Sequence, residues 1–131
     1  MRVPAGEAFT DAQRQEITKV IADAERVSGW SYSVHVGASD VDTRGFAESL
    51  HARLPDPPRS VLIQVDPQRR TLEIVTGAEV ARVLDNRAAA LAAVTMQSTF
   101  ANGDLTRGLL NGLQQLSHLA RAPKSLHTDT P

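Results

Sequence analysis

Asp40, Asp42 and Asp66 are the residues of this sequence whose type and spacing come nearest to chemistry. Asp40 and Asp42 follow one run of alternating apolar residues, and Asp66 closes a second β-rich run. If the two runs are parallel strands of one sheet, all three carboxylates lie at the carboxyl edge, where open α/β sheets bind ligands. Three carboxylates gathered there could hold a hard cation, Ca²⁺ or Mg²⁺, through oxygen ligands. Each also has a plainer reading. Aspartate in a loop or before a helix makes an Asx turn or an N-cap, and Asp66-Pro67 reads as the start of a turn. The spacing is not that of an EF-hand loop, which places its ligands at regular intervals over about twelve residues.

Other chemistry is sparse. His35, His51, His118 and His127 show no metal-ligand spacing among themselves and read as surface or half-buried residues. Arg69-Arg70 could clamp a phosphate or simply be the solvated residues of a turn. Thr76-Gly77 before a helix could present backbone N–H groups to an anion, although a glycine there also just ends a strand. Nucleophile patterns are missing: no G-x-S-x-G elbow, P-loop or G-x-G-x-x-G occurs, and there is no cysteine. No catalytic residue and no bound cofactor can therefore be named, apart from the Ca²⁺ or Mg²⁺ that the aspartates could hold.

Composition narrows the classes further. The 131 residues suit one domain with one core, and 41% of them are apolar. Charge is nearly balanced, 15 acidic against 14 basic, so the basic footprint of a nucleic-acid binder is absent. The few aromatics (Trp30, Tyr32, Phe46, Phe100) fall on apolar faces rather than forming a stacking platform for bases. No apolar run approaches the roughly 20 residues that span a bilayer. The first residues lack the apolar segment of a signal peptide. The expectation is a soluble cytoplasmic protein with no membrane anchor.

The elements that must position these residues can be read from periodicity and punctuation. Residues 1–9 read as an irregular lead-in. Thr10 and Gln13 have capping-box spacing, and Ile17, Val20, Ile21, Ala24 and Val27 make one helical stripe, ended by Gly29. The period then becomes two: Trp30, Tyr32, Val34 and Val36 alternate with Ser31, Ser33 and His35, as in a strand. Asp42 or Thr43 caps a second helix with Phe46, Leu50 and Leu54 inward, and the prolines of Pro55–Pro58 end it. Ser60–Asp66 and Thr71–Thr76 read as a hairpin across Pro67–Arg70.

Past Gly77, a short helix over Ala78–Leu84 is expected. A longer one follows Asp85 and reaches about Phe100, with an Ala88–Val94 stretch so apolar that it reads as buried on nearly every side. Asp104 caps the last helix. Its core face is Leu105, Leu109, Leu113 and Leu116, and Gly108 and Gly112 suggest close approach to a neighbour. The domain spans 10–121, with 122–131 a loose tail. The fold class is α/β in the order α-β-α-β-β-α-α-α. A right-handed crossover makes the first two strands parallel, the hairpin makes the third antiparallel, and helices cover both faces of the small mixed sheet.

The strand end Leu72-Glu73-Ile74-Val75-Thr76-Gly77 and the run from Phe100 through Asn102-Gly103-Asp104-Leu105 to Gly112 carry a resemblance. Together with the element order, they make residues 10–120 resemble a TPM domain. The nearest likeness is to an uncharacterised actinobacterial TPM-like family of unknown function, in whose style Asp42-Thr43-Arg44 and Val75-Thr76-Gly77-Ala78 also stand. The resemblance implies metal binding by acidic residues and, by analogy with a plant thylakoid-lumen member, acid phosphatase activity. This chain departs from the pattern at Pro58-Arg59-Ser60, where many TPM domains have an Asn-Gly-like turn before the second strand, and in lacking the usual leader and anchor. The expected function is thus a non-catalytic protein-interaction or accessory module with an unidentified protein partner, a second copy in a homodimer included. The alternative is a metal-dependent, phosphatase-like hydrolase.

Overall fold

The computed structural model describes residues 9–121, so the expected tail over 122–131 and the lead-in up to residue 8 lie outside the described residues. Helix α1, Asp11–Ser28, begins with the capping box: Thr10 Oγ1 accepts from the Gln13 N–H at 3.1 Å, and Gln13 Oε1 accepts from the Thr10 N–H at 2.9 Å. It ends on Gly29, left-handed at φ 85°, whose N–H bonds back to Glu25 O. Strand β1, Ser31–Val36, follows with Tyr32, Val34 and Val36 buried. Helix α2 is Thr43–Ala52, and the strands β2, Ser60–Asp66, and β3, Thr71–Thr76, complete the sheet.

The sheet order is β1-β2-β3. β1 and β2 are parallel, with Tyr32 opposite Val61 and Val36 opposite Val65; β2 and β3 are antiparallel, with Ile63 opposite Ile74. Central β2 is buried along its whole length, as a strand covered on both faces must be. Its two faces serve two clusters. Val61, Ile63 and Val65 join Val34, Leu72 and Ile74 under α1 and the two later helices. Leu62 and Val75 meet Ala47, Leu50 and Leu54 of the α2 segment. Helices therefore lie on both faces, as the crossover rule requires.

Helix α3, Asn86–Ala101, and helix α4, Leu105–Leu119, are capped by Asp85 and Asp104, which accept from the Ala88 and Arg107 N–H groups, each at 2.9 Å. The two helices meet at the α4 glycines. A β-carbon on Gly108 would strike the Phe100 ring, and one on Gly112 would strike the Met96 side chain. The indole N–H of Trp30 donates to Ala120 O at 2.7 Å, tying the end of α4 to the start of β1, and the Arg59 guanidinium lies 4.6 Å over the same ring.

Two elements differ from the sequence reading. The expected helix over Ala78–Leu84 is a single 3-10 turn, Val80–Arg82. Gly77 is wedged against the Pro57–Pro58 backbone and the Glu79 N–H is held by Pro58 O, which ties the segment to the strand entrance. Single i→i−4 bonds, Ala81 N–H to Gly77 O and Leu84 N–H to Val80 O, flank the turn without joining into a continuous helix. Nor is Ala88–Val94 buried all round. Ala89 and Ala92 are, but Leu91 and Val94 are each 61% exposed. With three strands, the sheet leaves α3 packed mainly against α4 and β3, and Leu91 and Val94 on its far side face solvent.

Candidate functional site

The carboxyl ends of β1 and β2 do share an edge, and Asp66 is its centre. The side chain is 2% exposed. Oδ2 accepts from the Ser39 N–H at 2.8 Å and the Ser39 hydroxyl at 2.7 Å; Oδ1 accepts from the Gln68 N–H at 3.1 Å and the Arg69 N–H at 3.2 Å. Four donors occupy about all the lone-pair sites of an ionised carboxylate. Arg69 Nε adds a counter-charge 3.6 Å from Oδ2. Burial works to raise the carboxyl's pKa, but the hydrogen bonds from Ser39, Arg69 and Gln68 together outweigh it and hold the group below its ordinary 3.8. Asp66 thus fastens the β1–α2 loop to the hairpin.

Asp40 and Asp42 do not turn to the same point. Asp40 is exposed and accepts from its neighbour, the Val41 N–H, at 3.1 Å. Asp42 caps α2, accepting from the Gly45 N–H at 2.9 Å. Among the described residues no group of three or more His, Cys, Asp or Glu side chains is arranged to hold a metal ion. The plainer readings of the sequence, an N-cap for Asp42 and a turn anchor for Asp66, describe what these side chains contact.

The same edge carries contacts that the sequence reading did not anticipate. Buried Gln64 donates from Nε2 to Gly37 O at 3.2 Å, so its amide oxygen faces His35 Nδ1, which donates the proton between them. His35 also stands tilted against Phe46 with ring centroids 6.2 Å apart. On the outer side of β3, Arg44 donates to Ile74 O at 2.8 Å and pairs with Glu73 at 3.3 Å, while Thr43 donates to Glu73 at 3.0 Å. These bonds join residues 27 to 30 positions apart, beyond any local pattern. The one usable signal was the parallel pairing, which puts the residues after β1 beside the end of β2. His51, read as a surface or half-buried residue, is buried and donates from Nε2 to Ser60 O at 3.0 Å.

Around the corner from Asp66, a cavity of about 460 Å³ opens between the hairpin and the α3–α4 connection. Val65, Phe100 and Leu105 supply apolar wall, and Arg70 and Gln97 supply polar groups. Arg69 and Arg70 therefore part company: the first faces Asp66, the second borders this cavity.

This arrangement defines a small mixed α/β domain with a three-stranded sheet, its parallel strand ends latched by one buried aspartate. The chain belongs to the family described as Domain of unknown function (DUF5130), whose model matches residues 2–117. Among curated proteins it is similar to an uncharacterised protein of Mycobacterium tuberculosis strain CDC 1551, with 29% identity over 86 residues, 66% of this chain and 52% of that protein. The uncharacterised counterpart in strain H37Rv matches to the same extent. The chain spans about half the length of these curated relatives.

Two solved structures share the fold. The NMR structure of BA42 protein from the psychrophilic bacterium Bizionia argentinensis superposes with a TM-score of 0.76 at 21% identity, covering 89% of this chain and 84% of that one. The N-terminal domain of a P. gingivalis protein gives a TM-score of 0.76 at 15% identity, covering 89% and 79%. At such identities the likeness speaks for the fold alone. No described helix is long and apolar enough to cross a membrane.

Proposed function

We propose that this domain is a non-catalytic protein-interaction module that engages its partner through the outer face of α3. The carrying observation is the side-by-side exposure of Leu91 and Val94, each 61% accessible. They stand on a 16-residue helix whose only charged residue is Arg87. A helix face turned to water ordinarily carries charge, and exposed apolar surface on such a face marks a place of contact. A second copy of the chain fits this face, because two nearly uncharged surfaces meet without repulsion. Membership of the TPM superfamily, which the element order supports, and a cytoplasmic setting belong to the same reading.

The competing reading, a metal-dependent phosphatase-like hydrolase, draws on the TPM resemblance and would use Asp40, Asp42 and Asp66 around Ca²⁺ or Mg²⁺. It asks Asp66 to exchange four hydrogen bonds for a cation while Asp42 leaves the Gly45 N–H it caps and Asp40 leaves the Val41 N–H. The interaction reading asks for no such rearrangement.

Sedimentation equilibrium on the wild type and on a Leu91→Glu, Val94→Glu double variant tests the proposal, with co-purification from native cells as a second readout. The expected result is a concentration-dependent dimer, or a reproducible co-purifying protein, that is lost in the variant while its circular dichroism is unchanged. A variant that keeps every association of the wild type, or a wild type that shows none, would refute it.

A further inference from the structure

We infer that the cavity between the β2–β3 hairpin and the α3–α4 connection is a binding site for a small amphipathic carboxylate, an acyl chain with an anionic head. Size is the first argument. About 460 Å³ lies within the range of small-molecule sites and well above what a few waters need. Lining is the second. Val65, Phe100 and Leu105 offer an apolar wall that an acyl chain can cover, with few polar groups among them.

Charge fixes the head group. Two arginines stand side by side at the turn, and only one has an acidic partner: Arg69 pairs with Asp66 at 3.6 Å. Arg70 borders the cavity, and among the described residues no carboxylate is paired to it. Asp66 also borders the cavity, yet its two oxygens are occupied by Ser39, Gln68 and Arg69. The turn therefore carries one surplus positive charge at the mouth of an apolar hollow. A guanidinium matches a carboxylate with two parallel hydrogen bonds, and the Gln97 amide, also on the lining, can donate a third.

The backbone adds a separate observation. Arg70 is the one non-glycine residue with positive φ among the described residues, at 56°. Glycine or asparagine ordinarily fills that position of a hairpin turn. An arginine there gives up backbone ease for a side chain at the cavity's edge, the direction of exchange expected where a side chain serves a ligand.

The turn conformation also supplies a clean variant. Arg70→Gly removes the guanidinium while relaxing the backbone, so it keeps the hairpin. Octanoate, octan-1-ol and octylammonium, which share one tail, are titrated at millimolar concentration into the full chain and followed by amide and methyl NMR. Octanoate should move the Val65 and Leu105 methyl signals and the Gln97 side-chain amide. Octan-1-ol should bind more weakly and octylammonium least. Arg70→Gly should weaken octanoate about tenfold, the worth of one charge-assisted contact, and Arg70→Lys should restore part of the loss. Octanoate that leaves these signals unmoved, or moves only signals elsewhere, overturns the site. Equal binding of octanoate and octan-1-ol, or octanoate binding unchanged in Arg70→Gly, overturns the assignment of an anionic head. None of these results bears on the outer face of α3, where Leu91 and Val94 are tested separately.

Discussion

Asp66→Asn separates a structural latch from a cation site, because the two roles give opposite signs. In the wild type each carboxylate oxygen accepts two donors: Ser39 N–H and hydroxyl on one side, Gln68 and Arg69 N–H groups on the other. Asparagine keeps one acceptor oxygen and replaces the other with an NH₂. In either orientation, two donors then face a donor. Each buried donor left without a partner costs about 1–3 kcal/mol, and local relaxation recovers part of that. The expected loss is about 2–4 kcal/mol, a fall in Tm of roughly 8–16 °C for a domain of this size.

Urea unfolding of both proteins at neutral pH and at several acid values measures it. Because Asp66's folded pKa lies below its ordinary 3.8, its contribution is fully present above that value and is lost as pH falls through the folded pKa. The gap between wild type and variant should therefore close in acid. A gap below about 1 kcal/mol at neutral pH, or one that fails to shrink in acid, refutes the latch. Were Asp66 instead an unfilled cation ligand, the substitution would relieve repulsion and stabilise the metal-free protein, and Ca²⁺ would raise the wild type's Tm alone.

Two further substitutions probe the packing at the opposite end of the sheet, where β2 begins. Gly77→Ala should cost about 1–3 kcal/mol in chemical denaturation, since the new methyl meets the Pro57–Pro58 backbone rather than a movable side chain; a neutral result means that segment yields freely. Tyr32→Phe should be neutral or stabilise by up to about 1 kcal/mol, because the buried hydroxyl has no hydrogen-bond partner among the described residues. Burial raises that phenol's pKa above 10.0, with Ser28 opposing and Glu25 reinforcing the shift, and a loss larger than about 1 kcal/mol on removing the hydroxyl would mean that Ser28 does bond to it.

What could be read from sequence was what is decided locally. The Thr10–Gln13 box and the Asp85 and Asp104 caps span three residues each, and the chain honours all of them. Alternation in Ser31–Val36 predicts which side chains are buried, because a strand has only two faces. The glycines of α4 predict close approach, and Phe100 and Met96 fill the space. Alanine-rich α3 defeated the same method. Alanine suits a core and a surface alike, so Ala88–Val94 does not say which side is covered, and the three-strand width of the sheet decides it. The aspartates are harder to read for a different reason. Their positions on one edge followed correctly from the parallel pairing, but where a carboxylate points depends on which donors reach it. The Ser39 donors that hold Asp66 come from 27 residues away.

The hairpin turn shows how one short segment can hold structure and recognition apart. Pro67–Arg70 needs an anchor, and Asp66 supplies it by accepting the Gln68 and Arg69 N–H groups and the charge of Arg69. That anchoring consumes the only carboxylate at the turn. Arg70 then stands in a left-handed conformation with no acid among the described residues to answer it, at the rim of an apolar cavity whose far wall is the end of α3. A metal centre at this edge would reverse the logic, since it needs surplus negative charge and free carboxylate oxygens. Here the carboxylate is spent and the surplus is positive. The chemistry left over after folding is anion recognition beside an apolar surface, and α3 links that corner to the exposed Leu91 and Val94 face along a single helix.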